Sequence, residues 1–344
     1  MKGRERMQQG SSSLDSNKMK PKTKFFVGAL TLLVLVLTFV VLISPMHPAF
    51  STTSSPSFHV LDRIYGDGFS PNTYDLILNV FKPNAISGDI IYVDDRGTAG
   101  GQTNYQYTLA NVPAGVQVLK SYKYFSLNCS TCPNPSFNST TTGWNTLPPG
   151  MDIIIYGYEN CSGTNPCYYE PLWTQNQAQA MPIIDQAENY VHQYNQKTNG
   201  HAKLFLQLGY GELGASTNFL PWDFGLVAQH VDILSMQMQS FETDANFGQR
   251  VAAVSQQIHN EAPNTPLNMQ ITEGDGRATP QQAADATVVM AQNAVGLSSI
   301  YVFYQENPTY LPLLTEYFNY LSPRTVPPSI GGTTLTLDPI TSVP

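Results

Sequence analysis

From residue 203 onward the chain alternates strand-length apolar runs with amphipathic ones, and this alternation restricts its fold more than any other feature. KLFLQL (203–208), VDILSMQM (231–238), LNMQIT (267–272) and SIYVFY (299–304) are the apolar runs. Between the second and third, residues 244–261 carry Phe247, Val251, Val254 and Ile258 at helical spacing. Thr279 and Pro280 then open a helix, a hydroxyl cap followed by a proline whose missing N–H costs nothing at the first helical position, and Gly296 closes it. A last helix is predicted over 308–321. The first half follows the same scheme, with strands at 58–64, 89–93, 116–122 and 152–158 and helices at 72–81, 102–112 and 174–195. Repeated strand–helix units pair in parallel through right-handed crossovers. Eight of them predict an α/β fold, a closed (β/α)8 barrel of TIM type over 58–321, with an insertion at about 125–150 after the third strand. No G-x-G-x-x-G follows the first strand, which removes the main dinucleotide-binding signal.

The barrel is expected to be preceded by one transmembrane helix. Residues 25–43, FFVGALTLLVLVLTFVVLI, are 19 residues without a charge, long enough to cross a hydrocarbon core of about 30 Å. Residues 1–24 hold seven basic groups and two acids, whereas the rest of the chain holds 10 basic and 23 acidic groups. The positive-inside rule therefore puts the basic segment in the cytoplasm and the body on the extracytoplasmic side of a single-pass membrane protein. A cleaved signal peptide is the alternative, but its apolar core would be shorter and would end in small residues, which SPMHPAF at 44–50 does not offer. Residues 44–57 read as a Ser/Thr/Pro stalk and 322–344 as a loose tail. The net charge of −8 argues against a nucleic-acid partner.

Four cysteines, Cys129, Cys132, Cys161 and Cys167, fall in one loop-rich region. An even count outside the cell predicts two disulfides; a zinc site is the rival, disfavoured by the wide second spacing. Asn128, Asn138 and Asn160 begin glycosylation sequons in the same region. The six histidines show no metal-ligand spacing, and no cofactor motif or G-x-S-x-G elbow is present.

In such a barrel the chemistry is built at the C-terminal ends of the strands. Those ends carry Asp94 on strand two, Tyr156, Tyr158 and Glu159 on strand four, and Gln207 on strand five. Strand six supplies Gln237 and Gln239, strand seven Gln270 and Glu273, and strand eight Tyr304. Carboxylates and amides beside aromatic rings suit carbohydrate, whose hydroxyls need donors and acceptors and whose ring faces need flat apolar surfaces.

The run MDIIIYGYEN at 151–160 resembles the fourth strand of secreted glycoside-hydrolase-like (β/α)8 barrels, and VDILSMQMQSFE and LNMQITEGDG resemble their sixth and seventh. In the retaining members of that group the acid/base glutamate ends strand four and the nucleophile ends strand seven. The resemblance therefore implies Glu159 as catalytic acid and Glu273 as its partner, with Glu242, Glu306 and Asp94 as substitutes. Here Tyr158, rather than the usual asparagine, precedes Glu159, and of a chitinase-like Asp series only Asp152 is present. Asn268, Gln270 and Thr272 share one face of strand seven, and Glu273 falls on the other unless the strand has ended. A non-catalytic surface protein that binds a glycan or an envelope partner at the same mouth is the alternative reading.

Overall fold

The computed structural model describes residues 58–64, 71–94, 99–129, 134–160, 169–273, 276–304, 311–322 and 324. Residues 1–57, with the apolar run and stalk, lie outside this range, as do Cys132, Cys161, Cys167 and Glu306. Among the described residues no helix is long and apolar enough to cross a membrane.

Eight parallel strands close in chain order: β1 (Val60–Ile64), β2 (Ile90–Asp94), β3 (Gln117–Tyr124), β4 (Ile153–Tyr158), β5 (Lys203–Gly209), β6 (Ile233–Gln237), β7 (Leu267–Glu273) and β8 (Leu297–Tyr304). Pairing of Val60 with Ile300 seals the ring between β1 and β8. The TIM-type barrel expected from the alternation is therefore present. Around it lie α1 (Pro71–Asp75, prolonged by a π-helical stretch Leu76–Phe81 and a turn Lys82–Asn84), α2 (Ala99–Asn111), α3 (Gln177–Thr198), α4 (Phe224–Ala228), α5 (Phe247–Glu261), α6 (Pro280–Asn293) and α7 (Leu311–Leu321).

The caps follow the local sequence. Thr279 accepts from the Gln282 backbone N–H while the Gln282 side chain bonds back, a complete capping box on α6. Asn176 caps α3, which ends at Asn199 in the left-handed region at φ 51°. The five-residue α4 escaped the periodicity reading because it is too short to show a repeat.

Side chains alternate between the lumen and the helical layer. Ile90, Tyr92, Ile153, Ile155, Phe205, Ile233 and Tyr301 fill the lower lumen as one buried cluster. Contacts across it, Tyr92 to Phe205 at 5.6 Å and Phe205 to Tyr301 at 6.4 Å between ring centres, join strands that are not neighbours. The opposite faces of the strands pack against the helices, with Ile184 and Val191 of α3, Val251, Val254 and Ile258 of α5, and Leu314 and Phe318 of α7 all buried. Each such side chain stabilises the fold by about 1.5–3 kcal/mol relative to exposure.

Among the described residues no α-helix follows β3. The inserted segment takes its place, with only the short turn Trp144–Thr146 helical. Phe137 from this segment stacks on Tyr124 at 4.2 Å and on Tyr190 at 5.5 Å. The buried Glu170 carboxylate accepts from the Leu127 N–H at 2.8 Å, the Tyr156 hydroxyl at 2.8 Å and the Leu172 N–H at 2.9 Å. One carboxylate thus ties the insertion to β4 and to the loop after it.

Arg324 lies three residues past the expected end of the barrel and is buried. Its Nη1 meets both oxygens of Asp89, at 2.8 and 2.7 Å, and its other terminal nitrogen donates to the Asn84 carbonyl.

Candidate functional site

The lumen-facing series turn polar as the strands approach their C-terminal ends. On β3 the series runs Leu119, Ser121, Lys123; on β4 Ile153, Ile155, Gly157 and then Glu159; on β5 Phe205, Gln207, Gly209; on β6 Ile233, Ser235, Gln237. Their upper members, with Gln270 and Thr272 of β7, surround a cavity of about 520 Å³ at the mouth of the barrel. Phe125, Asn134, Tyr169, Glu212, Gln239, Ser240 and Arg277 complete its wall.

Glu159 stands at the centre of the polar contacts. One of its oxygens, Oε1, accepts from Lys123 Nζ at 3.1 Å and from Gln237 Nε2 at 3.0 Å. Two donors on one oxygen, one of them cationic, suit a carboxylate anion. Burial pushes the Lys123 ammonium down and Arg63 adds to this, while Glu159 and Asp94 pull it up. Lys123 also lies 4.5 Å from the centre of the Phe125 ring, close enough for a cation–π contact.

Glycine makes the room for this arrangement. A Cβ on Gly157 would lie 2.8 Å from Lys123 Cε and 3.0 Å from Glu159 Oε1, so both side chains use space that only glycine leaves open. Gly209 does the same on β5, where a Cβ would meet Glu212 Oε2 at 2.9 Å. Glu212 sits in the turn after β5, its N–H bonded to the Gly209 carbonyl at 2.9 Å. Its Oε2 accepts from the Asn160 N–H at 2.7 Å. The second carboxyl is thus held against the backbone that continues directly from Glu159. Burial pushes the Glu212 carboxyl up, the Asn160 N–H opposes this, and the Glu159 charge raises it further.

The sequence-predicted residues separate into groups. Glu159, Gln237, Gln239 and Gln270 line the cavity. Gln207 lies beneath it and donates to Gln270 Oε1 at 3.3 Å. Asp94 is engaged by Arg63, at 3.0 Å from Nε and 2.5 Å from Nη2, and by the Ser121 hydroxyl at 3.1 Å. Tyr156 and Tyr158 are not brought to the cavity: the alternation along β4 turns them outward. There Tyr156 meets Glu170 and Phe137, and Tyr158 lies beside Trp173 and Trp222. Glu242 is buried and accepts from the Thr272 N–H at 3.2 Å. Glu273 and Tyr304 are register partners at the ends of β7 and β8; their side chains lie outside the description.

Among the wall residues that escaped the sequence reading are Glu212, Phe125 and Tyr169. Glu212 stands just past the end of β5, and Phe125 and Tyr169 stand in loops, where neither period nor strand end marks them. The rings of Phe125 and Tyr169 approach to 5.8 Å and form an aromatic corner beside the Lys123–Glu159 pair. Burial pushes the Tyr169 phenol up, as do the charges of Glu159 and Glu212.

Among the described residues no group of three or more His, Cys, Asp or Glu side chains is placed to hold a metal ion. Cys129 is not a free thiol, and the other three cysteines lie outside the described residues. Asn128 and Asn138 are exposed on the insertion, and Asn160 is half-buried beside Glu212.

No family model matches the chain, and no curated protein matches it in sequence. Solved structures do resemble it in outline. A family GH18 chitinase catalytic domain from the fern Peteris ryukyuensis has a TM-score of 0.44 and 12% identity, over 76% of this chain and 99% of that one. A GH128 endo-β-1,3-glucanase from Amycolatopsis mediterranei, in complex with laminarihexaose, has a TM-score of 0.38 and 11% identity, over 77% and 97%. A phosphoribosyl anthranilate isomerase from Thermococcus kodakaraensis has a TM-score of 0.37 and 8% identity, over 78% and 100%. The neighbours thus include glycoside hydrolase barrels beside a barrel of different chemistry.

Proposed function

We propose that this barrel acts on carbohydrate, by hydrolysis with a pair of carboxyl groups of which Glu159 is one. The observation that carries the reading is the position of Glu159, facing the lumen with its Oε1 bonded to Lys123 and Gln237, in a cavity that also holds Glu212, three glutamines and the Phe125–Tyr169 corner. Hydroxyl groups would meet the amides, and a sugar ring would lie against the aromatic corner. A carboxylate at Glu159 would attack the anomeric carbon or activate water, the separation of the two carboxyls deciding which. Glu273, at the end of β7, remains a second choice of partner. Glu159→Gln keeps the shape and removes the charge. With laminarihexaose and chitohexaose as probes, turnover of whichever is cleaved should fall by about 10²–10⁴-fold, with the melting temperature preserved. Unchanged cleavage and unchanged binding would make Glu159 structural.

The Lys123–Glu159 ion pair supports a second reading. A carboxylate already neutralised by a lysine can serve recognition alone, and the barrel would then bind a glycan or an envelope partner without cleaving it. Binding of either hexasaccharide with no product after prolonged incubation would favour this reading.

The same proposal places the barrel outside the cell, held by residues 25–43 as a single-pass anchor. The basic residues ahead of that apolar run and the acidic balance behind it support this. Two disulfides among Cys129, Cys132, Cys161 and Cys167, and glycans on Asn128 and Asn138, belong to that setting.

A further inference from the structure

We propose that Glu212, not Glu159, is the proton-holding carboxyl of the cavity, and that Glu159 is its ionised partner. This rests on the carbohydrate-hydrolysing reading and assigns the two roles within it.

A general acid must keep its proton until the leaving oxygen takes it, so it must not sit against a cation. Glu159 does sit against one: its Oε1 is 3.1 Å from Lys123 Nζ and also takes the Gln237 amide. Every described donor to that oxygen favours the anion. Glu212 has a different setting. The one described hydrogen bond to its carboxyl comes from a neutral backbone N–H, that of Asn160, onto Oε2. It packs over the bare face of Gly209, where a Cβ would lie 3.0 Å from its Cδ. The anionic Glu159 is next in the chain to the residue that supplies that N–H. Two carboxyls brought together in one cavity cannot both ionise freely, and the one whose described hydrogen bond comes from a neutral donor keeps the proton. Burial and the Glu159 charge both act on Glu212 in that direction.

The step balances as follows. The Glu212 O–H proton passes to the glycosidic oxygen as that oxygen's bond to the anomeric carbon breaks, the bonding pair staying on the oxygen. One water is consumed: its hydroxyl ends on the anomeric carbon and its proton restores the carboxyl. Lys123 is a positioning residue, holding Glu159 in its ionised form.

The titrations of the two carboxyls can be followed directly, by carbon NMR of the full chain labelled at the glutamate carboxyl carbon, with Glu159→Gln and Glu212→Gln used for assignment. The Glu212 midpoint should lie above that of Glu159. It should fall in Glu159→Gln, because a neighbouring negative charge has gone. A Glu159 midpoint above that of Glu212, or a Glu212 midpoint indifferent to Glu159→Gln, would overturn the proposal. Kinetics supply a second readout on aryl glycosides of whichever sugar is cleaved. Glu212→Gln should slow a phenyl glycoside by 10²-fold or more and a 2,4-dinitrophenyl glycoside far less, since the better leaving group needs no proton. Equal losses on both would count against a proton donor. If neither hexasaccharide is bound or cleaved while the titration order holds, the carbohydrate reading fails and the assignment of the proton stands.

Discussion

Glu188 of α3 is a half-buried carboxyl whose charge should bear on stability. It lies in a hollow apart from the barrel-mouth cavity, beside Asp185, His192, His230 and Asp232. Burial pushes it up to about 7, Asp232 and Asp185 add to this, and His192 opposes them. The folded value lies above the ordinary 4.5, so folding favours the protonated form. The resulting stabilisation is fully present below about pH 4.5 and is lost as pH rises through about 7. Glu188→Gln should therefore raise the melting temperature at pH 8 by on the order of 2 °C and leave it unchanged at about pH 4. Thermal scans at the two pH values check this, and an equal shift at both would show that the charge is not responsible. The cavity residues show what a strand reading can and cannot find. Glu159 was legible because it ends an apolar strand. The same alternation excludes Tyr156 and Tyr158: if Glu159 faces the lumen at the end of β4, residues one and three positions earlier face outward. Glu212 was not legible, because it reaches the cavity through a turn and a glycine, and turns carry no period.

At the scale of elements the eight strands and most helices could be read from the chain. β4 is a short run of β-branched and aromatic residues, and α5 repeats its apolar face over its whole length. What the pattern could not supply was the end of the body. Arg324 follows α7 and reaches back to the start of β2, where Asp89 also accepts the backbone N–H groups of Val60 and Ile86, both at 2.9 Å. Its guanidinium is 5.4 Å from the centre of the Phe318 ring. Asp62 lies close by, its carboxyl raised by burial and by Asp89 and lowered by Arg324. Removing the arginine leaves two buried carboxyls without their cation. Arg324→Ala should cost about 3–5 kcal/mol in chemical denaturation. Arg324→Ala with Asp89→Asn should recover part of that loss, because the uncompensated charge goes with it. A loss within about 0.5 kcal/mol for the single variant would show that the C-terminal contact does not hold the barrel.

The whole chain joins three compositions that the proposed membrane anchor would reconcile. Residues 1–24 are basic, 25–43 are uncharged and apolar, and the remainder carries 23 acidic groups against 10 basic ones. A soluble barrel has no need of the first two segments, and a 19-residue apolar run exposed to water would expose a large apolar surface. Lipid removes that cost. Lys and Arg are the residues a membrane retains on the cytoplasmic side, so the proposed anchor would put the barrel on the other side. There the low charged content of 12% leaves amides, hydroxyls and phenols to wet the surface, and thiols can oxidise. Protease added to intact cells should accordingly digest the barrel, while an antibody against residues 1–24 should detect a protected fragment of the anchor and basic segment. Alkylation of the same cells without reductant should label none of Cys129, Cys132, Cys161 and Cys167. Survival of the barrel in intact cells but not in lysed ones would reverse the orientation. Recovery of a barrel lacking residues 1–43 from the medium would mean that the apolar run is a cleaved leader. Four alkylated thiols would mean that the insertion and the loop after β4 are held by packing and by Glu170 alone.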